Sequence, residues 1–136
     1  MIDKISIMNK ARLKLRKEHQ RQIFIEAKRA FEKHKKEPLF ITGIALYWSE
    51  GRNSKSNNAQ LEISNANPNL LKLFCKFLRQ YFDLSRKPLK ARLFLYPDLD
   101  EGKTKLFWSN TLKIPLDNFI KSYHSNSHSR LTKRKL

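Results

Sequence analysis

The stretch "GIALYWSEGRNSKSNN", residues 43–58, closes an apolar run with one acid and one glycine, then passes straight into a polar, basic segment. The acid is Glu50. A carboxylate so placed can hold a divalent cation against a phosphate, or it can serve as a plain surface acid paired with Arg52. Thr42, Ala45 and Ser49 recur at i, i+3 and i+7, so one face of the helix that would carry them is small and open to close approach. Spacing alone leaves both roles of Glu50 open.

A second stretch, "KARLFLYP" at residues 90–97, alternates with a period of two. Ala91, Leu93 and Leu95 take one face of the predicted strand; Lys90, Arg92, Phe94 and Tyr96 take the other. Such a basic and aromatic face can hold nucleic acid by phosphate contact and stacking. It can equally be half covered by a neighbouring element. Other chemistries find no support. His19 and His34 fall in a charged segment and His124 and His128 near the C-terminus, at spacings that assemble no metal site. Cys75 is alone, which excludes an internal disulfide or a thiolate cluster and fits a reducing compartment. No Ser/His/Asp pattern, P-loop or dinucleotide fingerprint occurs.

The elements that position these residues are legible in outline. Residues 3–36 contain no Pro or Gly and read as one long helix. Ile23, Phe24, Ala27, Ala30 and Phe31 make a narrow apolar stripe, so its C-terminal half is expected to pack. Towards the start Lys10, Arg12, Lys14, Arg16 and Lys17 dominate, either as a solvated face or as phosphate contacts. Pro38 separates this arm from a second helix at about 39–49, and Gly51 is placed to end it in a left-handed conformation. "AQLEIS", residues 59–64, alternates and reads as the second arm of a hairpin starting near Gly51. Asn67 and Pro68 open the clearest helix, with Leu70, Leu71, Phe74, Phe77, Leu78 and Tyr81 on one face and Lys72, Lys76 and Arg79 opposite. Asp98 with Glu101 resembles a capping box for a helix at 99–112, which Pro115 stops. Residues 118–124 suit a short strand. The expected organisation is a basic helical arm at 1–37, a domain at 38–124 and a basic flexible tail at 125–136, mobile or ordered only on a partner. The expected fold is α+β, with helices on one face of an antiparallel sheet.

The chain has 136 residues, 29 Lys and Arg against 12 Asp and Glu, and a formal net charge of +17. The excess lies at the ends: residues 1–37 hold 12 basic and 5 acidic side chains, and residues 122–136 hold 4 basic and none acidic. Such a balance favours a polyanionic partner, because binding releases condensed counterions from nucleic acid. No apolar run approaches the length of a membrane span, and Met1–Lys10 lacks a signal-peptide block. A cytoplasmic, nucleoid-associated protein is expected.

Residues 43–51, "GIALYWSEG", with the predicted hairpin after them, resemble the LAGLIDADG family of homing endonucleases and related DNA-binding proteins. Ala45 and Leu46 fall where that family favours a small residue and then leucine. Ser49, Glu50 and Gly51 match its small–acid–glycine ending. The longer stretch "FITGIALYWSEG…ISNANPNLLKLFCKFLRQYF" looks like a compact bacterial and archaeal branch of single-motif proteins, in which a long basic helix precedes the motif. The resemblance implies two crossed helices, from two subunits, whose terminal acids bind Mg²⁺ at the scissile phosphates of double-stranded DNA. Carried onto this chain, Glu50 is the catalytic and metal-binding residue. Thr42, Ala45 and Ser49 form the homodimer interface. Arg52, Lys55 and Gln60 of the hairpin, with Lys90 and Arg92, contact DNA. The chain departs from the pattern at Trp48, where many members carry aspartate, and in a short hairpin that does not suit a long target site. A non-catalytic DNA-binding regulator on the same scaffold is the second expectation, and an RNA-binding protein the third.

Overall fold

The computed structural model describes residues 3–52 and 60–126. Four helices carry most of the order: α1 (Lys4–His34), α2 (Pro38–Glu50), α3 (Pro68–Tyr81) and α4 (Glu101–Leu112). Two strands of two residues each, β1 (Phe94–Leu95) and β2 (Tyr123–His124), pair in parallel, Phe94 opposite Tyr123. A 3-10 turn, Leu116–Asn118, precedes β2. The chain divides into two compact units after Ile41.

In the first unit Asp3 caps α1 by accepting from the Ile5 amide, and the Lys35 amide bonds back to the Phe31 carbonyl at the other end. No residue of α1 is buried, and Phe24 is 69% exposed. Within this unit the Ile23–Phe31 stripe covers no core, because a stripe interrupted by Glu26, Lys28 and Arg29 is narrow. Its end is engaged there: the Phe31 and His34 rings meet buried Phe40 at centroid distances of 6.5 and 5.3 Å.

The second unit is built on α3. Asn67 accepts from the amides of Asn69 and Leu70, and Pro68 supplies a first-turn residue that needs no amide partner. Of the face predicted from the sequence, Phe74, Phe77 and Leu78 lie in the core and Leu70, Leu71 and Tyr81 are half-buried; Cys75, not placed on that face, is buried as well. Each large side chain so buried contributes about 2 kcal/mol by leaving water. Cys75 packs with Leu112 and Ile114, and burial pushes its thiol up, with Arg79 opposing the shift. α2 lies against α3 through Gly43, where a methyl group would fall inside the Phe77 ring, and through Tyr47, stacked on Phe74 at 6.5 Å.

The sheet departs from expectation. Among the described residues the fold is not helices on an antiparallel sheet but mostly helix with one small parallel pair. The connection explains the direction: α4 crosses over between β1 and β2, and strands joined through a helix run parallel, not antiparallel. Pro97 ends β1 early, as a residue with no amide to donate. Of the expected hairpin the described part is one antiparallel bridge, Gly51 to Ile63, with the Arg52 amide donating to the Glu62 carbonyl at 2.9 Å. Leu61 is exposed, so the expected alternation meets no sheet face there, and Ala59 lies outside the described residues. Gly51 has no positive φ; it is required because its Cα sits against the Tyr47 carbonyl and ring, leaving no room for a side chain. The N-cap of α4 is Asp100, which accepts from the Lys103 amide at 2.7 Å, in place of Asp98.

Candidate nucleic-acid interface

Glu50 ends α2 half-buried, and its partner is Asn65, whose amide nitrogen donates to Oε2 at 3.0 Å. The orientation of Asn65 follows from its other end, where Oδ1 accepts from the Asn67 amide at 2.8 Å. The carboxylate is thus tied through two asparagines to the N-terminus of α3. Arg52 does not pair with Glu50. Its guanidinium lies 3.8 Å from Glu62, and its side chain is 72% exposed.

Thr42 is half-buried, and Ala45 and Ser49 are exposed, the Ser49 hydroxyl donating to the Leu46 carbonyl at 3.2 Å. At 100° per residue the buried side of α2 centres on Gly43 and Tyr47. Ile44 and Trp48 therefore stand on a more apolar exposed face than Thr42, Ala45 and Ser49 do. Trp48 is 89% exposed. Gln60 is exposed, and Lys55 lies outside the described residues.

Lys90 and Arg92 are exposed and alternate with half-buried Ala91 and buried Leu93 and Leu95, as the period of two predicted. The structure adds what the sequence did not reveal. β2 brings Tyr123 beside Phe94, ring centroids 5.7 Å apart, and both side chains stay open. The ladder carries one extra residue on the second strand. Ala91 pairs with Phe119, whereas Phe94 pairs with Tyr123. That bulge lets both half-buried Phe119 and buried Ser122 reach the core although they are three apart. Lys121, within it, is exposed.

Two further polar groups are engaged structurally. Arg79, read from the sequence as a solvent-facing cation, donates to the carbonyls of Leu112 and Lys113 at 2.6 and 2.9 Å and so closes the C-terminus of α4. Glu101 accepts from Ser122 at 2.6 Å and lies near His124 and Lys105, at 3.4 and 3.9 Å. The Ser122 hydroxyl is the main reason its carboxyl is held below the usual range; partial desolvation opposes this, and His124 and Lys105 add to it.

Among the described residues only Lys35, Arg52 and Lys105, of all the lysines and arginines, pair with a carboxylate. No group of three His, Cys, Asp or Glu side chains there could hold a metal ion. Mg²⁺ takes several oxygen ligands, so Glu50 of one chain does not fit it alone. No described helix is long and apolar enough to cross a membrane. Comparisons with protein-family models, curated proteins and solved structures found no match.

Proposed function

We propose that this protein binds double-stranded DNA, chiefly through phosphate contacts. The observation behind the reading is the unpaired cation set: a chain of net charge +17 whose described lysines and arginines form only three carboxylate pairs. Unpaired surface cations lose little on meeting phosphate, and the released counterions make association favourable at low salt. Lys90 and Arg92 of the β1 segment supply contacts on the second unit, with the exposed Arg52 and Gln60 on either side of the expected hairpin.

The test is duplex binding by fluorescence anisotropy across about 50–200 mM salt, with log K expected to fall by about 0.9 per phosphate contact. Replacing Lys90 and Arg92 together by Ala should flatten that slope by about two. Weak binding with no salt dependence would overturn the proposal.

A second reading, Mg²⁺-dependent cleavage of DNA by a homodimer, draws on the positioning of Glu50 by Asn65. It requires a second copy to bring its own Glu50, with the α2 helices meeting along Thr42, Ala45 and Ser49. Nicking of supercoiled plasmid in Mg²⁺, lost in Glu50→Gln with binding retained, is its expected signature. A strict monomer with and without DNA would remove it.

A further inference from the structure

We propose that the open face of the β1–β2 pair is a stacking plate for an unpaired base, so that DNA carrying a single-stranded segment is held better than uninterrupted duplex. Four observations meet there. Phe94 and Tyr123 lie side by side, 58% and 59% exposed, where two large rings gain nothing from the fold by remaining in water. They sit in register on adjacent strands, so the backbone hydrogen bonds from Tyr123 to Leu93 and from Ser125 to Leu95, both 2.8 Å, fix their spacing. Tyr96, two residues beyond Phe94 and just past the end of β1, is also exposed and adds a third aromatic ring to this segment. Lys90, Arg92 and Lys121 are exposed around them and pair with no carboxylate among the described residues.

This chemistry selects the occupant. Base stacking on aromatic side chains is tolerant of sequence and gains from cations that follow the backbone. Bases inside a duplex present their edges to a protein, not their faces, so the plate favours a strand whose bases are free. A second copy of the chain is a poor occupant, since it would set the same three cations against these. The carboxylate that β2 holds, Glu101, is already taken by Ser122, His124 and Lys105.

The inference rests on the nucleic-acid reading above, and the experiment separates the two. A blunt duplex and a duplex of equal phosphate count with a single-stranded tail are compared, 2-aminopurine in the tail reporting stacking by loss of fluorescence. The tailed duplex should bind more tightly and quench. Phe94→Ala or Tyr123→Ala should cost about 5- to 100-fold on the tail while leaving the blunt duplex unchanged, and Tyr123→Phe should retain the preference. Equal affinity for both DNAs, with no quenching, overturns the plate and leaves the duplex proposal standing. Binding of the tail alone would keep the plate and remove the duplex proposal. Loss of a dimer in Phe94→Ala by sedimentation, with DNA affinities unaltered, would assign the face to a second copy and overturn the inference.

Discussion

Asn65 and Ser122 show how two carboxylates of this basic chain are given different circumstances. Asn65 donates its amide nitrogen to Glu50, and its oxygen, accepting from the Asn67 amide, fixes that orientation. Ser122 is itself buried and donates to Glu101. A hydrogen bond to the charged form favours it, which is why Glu101 titrates below its ordinary 4.5. The sign follows: with the folded value depressed, the stabilisation is present above the unfolded carboxylate's range and is lost as pH falls through the folded value. Ser122→Ala should therefore raise the Glu101 midpoint towards 4.5, followed by carboxyl carbon NMR. A midpoint that does not move would mean that Ser122 is not the principal cause. Neither partnership was visible in the sequence, since Asn65 and Ser122 lie 15 and 21 residues from the acids they serve.

At the scale of elements, Gly43 sets how α2 and α3 meet. In an open helix Gly→Ala gains about 1 kcal/mol. Here the added methyl would enter the Phe77 ring, and overpacking of that kind costs about 1–3 kcal/mol. Gly43→Ala is expected to lower stability in urea unfolding despite its better helix propensity; a stabilised variant would show that α2 and α3 do not pack through this position. α3 was fully legible, because Asn67, Pro68 and a broad apolar face agree on one answer. α4 was legible except at its start, where the expected cap was Asp98 and the bond from the Lys103 amide marks Asp100 instead. The sheet was misread because period two reports one covered face and says nothing about the direction of the partner. Direction followed from α4 lying between the strands, a matter of connection. The α1 stripe misled for another reason: five apolar residues at helical spacing do not specify what they would pack against.

For the whole molecule the governing quantity is charge, and its richest segment is α1. Lys10, Lys14, Lys17 and Arg21 follow one another at i, i+4, i+7 and i+11, one side of a helix with no buried residue. Such a row suits a line of phosphates. Replacing these four by Gln should flatten the duplex salt slope by about three to four units, whereas replacing Arg12, Arg16, Arg29 and Lys33, off that side, should change it less. Equal effects would mean that net charge alone matters. The charge excess was readable from composition, and the spacing of Lys10, Lys14 and Lys17 along a helix was readable as well; that the whole of α1 carries no buried residue was not.

The parallel pairing of β1 with β2 carries one more consequence. Their partners are some thirty positions apart in the chain, with α4 threaded between, so the entropy of closing that loop has to be met before Phe94 and Tyr123 can become neighbours. Any molecule gripping both rings acts as a clasp on that crossover, and its grip and the folding of α4 become one linked equilibrium.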